Sequence, residues 1–252
     1  FCLTHNYTGY PMVKQAREMV LGGELGEVRK VIVEYLQGWL ATSLENTDNR
    51  QAAWRSDPSR AGIAGAMADI GTHAFNLAEY VTGMEVTALS ANLRSVVPGR
   101  LLDDDGTVSL LFGNGMSGTL LASQVATGEE NNLSIRIYGE KGGLIWRQME
   151  PNTLTLLWPD APVQLVRTGT SFLGSGRAAA MHTRIPAGHP EGFIEAFANL
   201  YRNFMMHITA LQEGHDPDVL ADYPGINEGV RGMKFLESAV SSSRNGSVIT
   251  AL

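Results

Sequence analysis

Asp105-Gly-Thr-Val-Ser-Leu-Leu-Phe-Gly-Asn-Gly-Met-Ser-Gly-Thr-Leu-Leu-Ala-Ser123 is the stretch on which the fold turns. Two short apolar runs, Val108 to Phe112 and Met116 to Gln124, flank Asn114-Gly115, a dipeptide suited to the positive φ angles of a two-residue hairpin turn. Downstream, Leu133, Ile135 and Ile137 alternate with Ser134, Arg136 and Tyr138, the period-two pattern of a strand with unlike faces. Gly142-Gly143 marks the next turn. Upstream, Val28 to Leu36 is short and β-branched and reads as a strand. Successive hairpins between about 85 and 168 predict a mainly antiparallel sheet.

Helical spacing frames this block. Met12, Ala16, Met19 and Val20 follow Pro11 and stop at Gly22-Gly23. A helix is predicted near 66–82, closed by Gly83. Two more are predicted over 190–212, with Phe193, Phe197, Leu200, Phe204, Ile208 and Leu211 as a core stripe, and over 225–243, with Ile226, Val230, Met233 and Val240 on one face. Residues 37–60 and 169–188 read as irregular, with a turn at Asp57-Pro58. Strands in the middle with helices at both ends predict an α+β fold: a mainly antiparallel open-faced sheet with helices packed on one face.

Composition excludes several classes. The 252 residues carry 19 basic and 26 acidic side chains, a net charge of −7, and no basic run; a nucleic-acid interface needs a basic stripe. One cysteine, Cys2, rules out an internal disulfide and a Cys-based zinc cluster. No apolar stretch is long enough to span a bilayer as a helix, and His182, His207 and His215 lack metal-site spacing. A cytoplasmic protein is expected. The opening Phe1-Cys-Leu-Thr-His5 reads as an apolar strand belonging to something longer.

Two glycine segments imitate nucleotide-binding fingerprints. Gly113-Asn-Gly115-Met-Ser-Gly118 fits G-x-G-x-x-G, but that motif needs a strand turning into a helix, and here a hairpin is predicted. Gly174-Ser-Gly176-Arg-Ala-Ala179 has no room for a full helix before Pro186. No dinucleotide cradle is expected in this chain.

The helix at 66–82 carries the chemistry. Met67, Ile70, Ala74, Leu77, Ala78 and Val81 form its core face. Asp69, His73, Asn76 and Tyr80, at i, i+4, i+7 and i+11, stack as a polar stripe. A histidine exchanges protons near neutral pH, and an aspartate one turn earlier can bond its ring and favour the imidazolium. The same spacing also suits a solvated helix face.

Asp69-Ile-Gly-Thr-His73, with closure at Gly83, resembles the D-x-G-x-H helix of the Gfo/Idh/MocA oxidoreductases. Leu21-Gly-Gly-Glu-Leu-Gly-Glu-Val28, Asp105 to Gly115 and Tyr138-Gly-Glu-Lys-Gly-Gly143 are similar to further motifs of that family. His5-Asn-Tyr-Thr-Gly-Tyr-Pro11, Trp54-Arg-Ser-Asp-Pro58 and Gly188-His-Pro-Glu-Gly192 resemble one bacterial subgroup of it.

The resemblance implies that residues 1–9 are the remnant of the last strand of an absent Rossmann domain. Residues 10–252 would then be the substrate, catalytic and oligomerisation domain. It implies Asp69 and His73 as the catalytic pair and Asn76, Tyr7, Arg55, Asp57 and His189 as substrate-binding residues. NAD or NADP would serve the full-length parent and not bind this chain, which alone would be inactive. The implied activity is hydride removal from a sugar-like polyol with His73 as acid/base; glycoside cleavage through a transient oxidation, or a non-catalytic sugar or nucleotide sensor, are the alternatives. A homodimer or homotetramer through the sheet is expected, because the hairpin 108–124 has no charged residue and Leu111 and Leu121 leave its second face apolar.

Overall fold

Pro11 opens helix α1 (Pro11–Leu21) at the first helical position, where its missing N–H costs nothing. The structure, a computed structural model, describes residues 1–170 and 176–252. Strand β1 (Val28–Leu36) buries Val31, Val33 and Tyr35 in alternation. Then come α2 (Arg50–Arg55), α3 (Pro58–Ala61), a π turn (Met67–Gly71) continuing into α4 (Thr72–Thr82), and strands β2 (Val86–Arg94), β3 (Asp105–Phe112) and β4 (Ser117–Ser123). Strands β5 (Asn132–Gly139), β6 (Gly143–Arg147), β7 (Thr153–Trp158) and β8 (Ala161–Arg167) follow. Helices α5 (Arg177–His182), α6 (Phe193–Glu213) and α7 (Ile226–Arg244) and the short β9 (Thr250–Ala251) close the chain.

The nine strands form one mixed, mostly antiparallel open sheet in the order β8-β7-β6-β5-β1-β4-β3-β2-β9. The β3–β4 hairpin pairs Asp105 with Ser123 through Leu111 with Ser117, and Gly115 takes the positive φ of its turn (87°). One pairing departs from the predicted hairpins: β1 and β4 run parallel, from Lys30 opposite Ser117 to Leu36 opposite Ser123. The long excursion after β1 frees it from the immediate return that a tight turn imposes.

The described chain divides into two compact units, where the sequence reads as one domain after residue 9. The first comprises 1–28, 80–83 and 136–230; the second comprises 29–79, 84–135 and 231–252. In the first, β6, β7 and β8 form an antiparallel set. Phe1 to His5 form no strand; Leu3 N–H instead donates to Pro224 O (2.8 Å).

The stripe assigned to α6 is corrected. Phe193 and Leu211 are exposed, while Ala196, Asn199, Leu200, Asn203 and Ala210 are buried. Two amides can face inward because each finds partners. Asn199 Nδ2 donates to Gly9 O and His182 O (both 2.9 Å). Asn203 Nδ2 donates to His182 Nε2 (2.7 Å) and Asp222 O (2.8 Å). His182 Nδ1 in turn donates to Ala178 O (2.6 Å), which fixes the neutral tautomer, and burial pulls its pKa down to about 4.

In the second unit, β3 and β4 bury Val108, Leu110, Phe112 and Leu120 on one face. The opposite face is not uniformly apolar as predicted: exposed Thr107 and Ser109 and half-buried Thr119 separate Leu111 from Leu121. The face of α7 is also corrected. Ile226, Val230 and Met233 are exposed; Phe235, Leu236, Ala239 and Val240 are buried, and Phe235 stacks on Phe75 at 4.4 Å. Residues 37–60 contain capped short helices rather than plain loop. Asn49 Oδ1 accepts from Gln51 N–H and Ala52 N–H at the start of α2, and Asp57 Oδ1 from Ser59 N–H at the start of α3. No helix is long and apolar enough to cross a membrane among the described residues.

Candidate active site

The π turn and α4 carry Asp69, His73 and Asn76, and their start is fixed from outside the helix. Asp103 Oδ1 accepts from Gly65 N–H (2.7 Å) and Oδ2 from Met67 N–H (2.8 Å), covering donors that a helix N-terminus leaves open. Burial pushes the Asp103 carboxyl up, and these two hydrogen bonds act against it. Gly65 is required by this approach: a Cβ there would lie 2.2 Å from Asp103 O. The core face Met67, Ile70, Ala74, Leu77, Ala78 and Val81 is buried as predicted. The π turn itself was not legible in the sequence; such turns recur at functional sites.

Asp69 is held by side chains from two other elements. Its Oδ1 takes an ion pair from Arg55 Nη2 at 3.0 Å, and its Oδ2 accepts from Gln124 Nε2 at 2.7 Å. Both Asp69 and Arg55 are part-exposed, at 25% and 22%. The His73 ring lies edge-on to Tyr35, with centroids 6.4 Å apart. Asp69, in the π turn, thus takes donors from α2 and from the residue that follows β4. Asn76 is 7% exposed, and its Oδ1 has no partner among the described residues. A buried acceptor left unmet costs free energy unless a ligand or water satisfies it.

The structure also shows the anchor of the segment that brings Arg55 in. Arg100 is buried and donates to Leu40 O (3.0 Å), Thr42 O (3.2 Å), Glu45 Oε1 and Oε2 (3.1 and 2.9 Å) and Asp104 Oδ2 (2.9 Å). Asp104 also accepts from Val96 and Val97 N–H. The Arg100 guanidinium holds the Glu45 carboxyl below its ordinary range. Arg55 ends α2, and its guanidinium lies 5.0 Å over the Trp54 ring.

The other sequence-predicted residues have their own settings. Asp57 caps α3, and Ser59's side-chain and backbone hydrogen bonds hold its carboxyl below the usual range. Tyr7 belongs to the first unit, buried and stacked on Tyr10 at 6.3 Å. His189, also in the first unit, is exposed, contacts Pro186 O through Nδ1 (3.1 Å), and lines a cavity of about 460 Å³ with Glu150, Asn152, Arg167 and Thr168. Tyr80, last on the polar stripe, donates to Asp222 Oδ2 (2.7 Å), which is also paired with Lys14.

Gln124, Gln37, Asn131 and Tyr35 are site residues that the sequence reading missed. The register explains them. Leu36 pairs with Ser123 in the parallel β1–β4 ladder, so both strands leave the sheet at one edge and set Gln37 beside Gln124. A polar residue directly after each of two apolar strands was the available signal, but only a parallel pairing joins them.

The first glycine segment is a hairpin turn, as predicted. Gly113 to Gly118 turns β3 into antiparallel β4, with no helix whose N-terminus could meet a pyrophosphate. In the second segment, Gly174 and Ser175 lie outside the described residues, and α5 after it has only six residues.

The profile described as the GFO/IDH/MocA C-terminal domain matches residues 13–145. An uncharacterised oxidoreductase of Bacillus subtilis (strain 168), YfiI, is 31% identical over 250 residues, 98% of this chain and 63% of its own. The crystal structure of an oxidoreductase from Sinorhizobium meliloti is 42% identical with a TM-score of 0.85, covering 99% of this chain and 64% of that one. An inositol dehydrogenase homolog from Azotobacter vinelandii, solved with NADH and myo-inositol, is 31% identical with a TM-score of 0.88, covering 100% and 64%. The chain spans just under two thirds of the length of these relatives.

Proposed function

Because the chain belongs to the Gfo/Idh/MocA family of oxidoreductases, we propose that it is the substrate-binding, proton-transferring part of an NAD(P)-dependent oxidoreductase acting on a hydroxyl carbon of a sugar-like polyol. The observation that carries this reading is one helix presenting three different hydroxyl-handling groups. Asp69 is a carboxylate held by Arg55 and Gln124, His73 is an imidazole against Tyr35, and Asn76 is a buried amide with an unmet acceptor.

In this reading His73 takes the proton of the reacting hydroxyl as general base. Asp69 and Asn76 Oδ1 accept from neighbouring hydroxyls, and Arg55 donates to an oxygen, so the ring is fixed in one orientation. Asp57 is proposed as a further substrate contact. No part of hydride transfer is placed on the described residues. That a relative binds NADH and myo-inositol supports the cofactor and substrate class.

The test is turnover by the full-length gene product with NAD⁺ or NADP⁺ across myo-inositol and other cyclic polyols and sugars, read by nicotinamide absorbance. Reduction with at least one of them is expected. Failure of both dinucleotides with every compound would reject the reading.

We further infer that copies pair through the open sheet face, where Leu111 is 43% exposed. Light scattering should show a dimer or tetramer, and Leu111→Lys should shift it toward monomer. A wild-type monomer at micromolar concentration would contradict this.

A further inference from the structure

Hydrogen-bond direction, rather than distance, is what singles out Trp39. Its Nε1–H donates to Gln37 Oε1 at 3.0 Å, and Gln124 Nε2 donates to the same oxygen at 3.3 Å. Gln124 Nε2 also donates to Asp69 Oδ2 at 2.7 Å. On the far side, Gln37 Nε2 and Tyr35 OH both donate to Asn131 Oδ1, each at 2.7 Å.

A carboxamide keeps its shape when turned by 180°, so packing alone does not decide which end is oxygen. An indole N–H only donates, and it therefore obliges Gln37 to turn oxygen toward it. That oxygen obliges Gln124 to turn its NH₂ group inward. Both N–H bonds of Gln124 are then used, one on Gln37 and one on Asp69. Reversed, Gln124 would set carbonyl oxygen against the Asp69 carboxylate and against Gln37 Oε1, and Gln124 is 2% exposed, so water is poorly placed to relieve it.

We propose that Trp39 is a positioning residue for the active site: its indole N–H keeps Gln37 Oε1 turned to Gln124, so that the amide donating to the Asp69 carboxylate is braced by a second acceptor. With Arg55, which also only donates, on the other oxygen, Asp69 is held as an acceptor with its remaining lone pairs turned to substrate hydroxyls. This rests on the proposed reading of Asp69 and His73 as the site of chemistry.

Trp39→Phe removes the N–H and keeps most of the ring. In the full-length gene product, assayed with the polyol most active in the panel above, it should lower kcat about tenfold, the order of one oriented hydrogen bond. KM and Tm should change little. Adding Gln37→Glu keeps an obligate acceptor beside Gln124 without the indole; Asn131 can turn its own amide to donate to the new carboxylate and to the Tyr35 hydroxyl, which also accepts. The double variant Trp39→Phe/Gln37→Glu should recover most of the lost kcat.

Wild-type kcat in Trp39→Phe, or a loss that Gln37→Glu does not restore, overturns the proposal; the second result would mean that Trp39 acts by packing. His73→Ala separates the two levels. If it is inactive while Trp39→Phe is unimpaired, the relay is wrong and the site stands; if His73→Ala retains activity, the underlying reading is wrong.

Discussion

His73→Ala in the full-length gene product is expected to lower kcat by roughly 10²–10⁴, the usual contribution of a positioned acid–base group. The fold should survive, because position 73 is half-buried on α4, between core residues rather than among them, and alanine is the best helix former. The loss should fall on kcat more than on KM, since the proposed substrate contacts at Asp69, Asn76 and Arg55 are kept. Added imidazole should restore part of the rate by occupying the vacated space. Asp69→Asn should also impair turnover: an amide there turns one N–H toward either Arg55 or Gln124, both of which donate to the present carboxylate. Near-wild-type kcat for His73→Ala with an unchanged pH–rate profile would remove His73 from the mechanism.

The largest stability effect is expected at Arg100. Arg100→Ala leaves Asp104, 1% exposed, without its guanidinium partner, strips Glu45 and the Leu40 carbonyl of their Arg100 donor, and leaves the Thr42 carbonyl only the Leu44 N–H. Breaking a buried pair from one side costs about 3–5 kcal/mol, because the remaining charge stays buried and uncompensated. That is a large share of a typical domain's stability of roughly 5–15 kcal/mol. Chemical denaturation monitored by circular dichroism measures it, and a loss below about 1 kcal/mol would show that the cluster is dispensable. Arg100→Met, which fills the same space, should cost about as much, since volume is not what is lost. Asp104 keeps its Val96 and Val97 N–H donors, so the β2–β3 connection should stay formed while the 40–45 segment loosens.

Several features needed nothing beyond local patterning. The limits of β1, the stop of α1 at Gly22, the Asn114-Gly115 hairpin and the core face of the 66–82 helix all follow from side-chain period and turn chemistry. These signals are local and each is repeated several times within its element. The polar stripe Asp69, His73 and Asn76 was visible for the same reason. The α6 and α7 stripes misled because hydrophobicity marks what can be buried, whereas burial also needs a neighbour. Phe193 and Met233 stay about half exposed among the described residues, while Asn199 and Asn203 go inside because backbone carbonyls and His182 receive their protons.

By itself the sequence determined an α+β chain with an open sheet and a helix carrying carboxylate, imidazole and amide on one stripe, since composition and periodicity encode which residues share a face. What those groups touch was decided only in three dimensions. A parallel register between β1 and β4 sets Gln37 beside Gln124. A π turn carries Asp69, which meets Arg55 and Gln124. The acidic cap of Asp103 holds the start of that turn. Each of these joins residues of different elements, and neither hydrophobic period nor turn preference carries information from one element to another; strand order and hydrogen-bond satisfaction do.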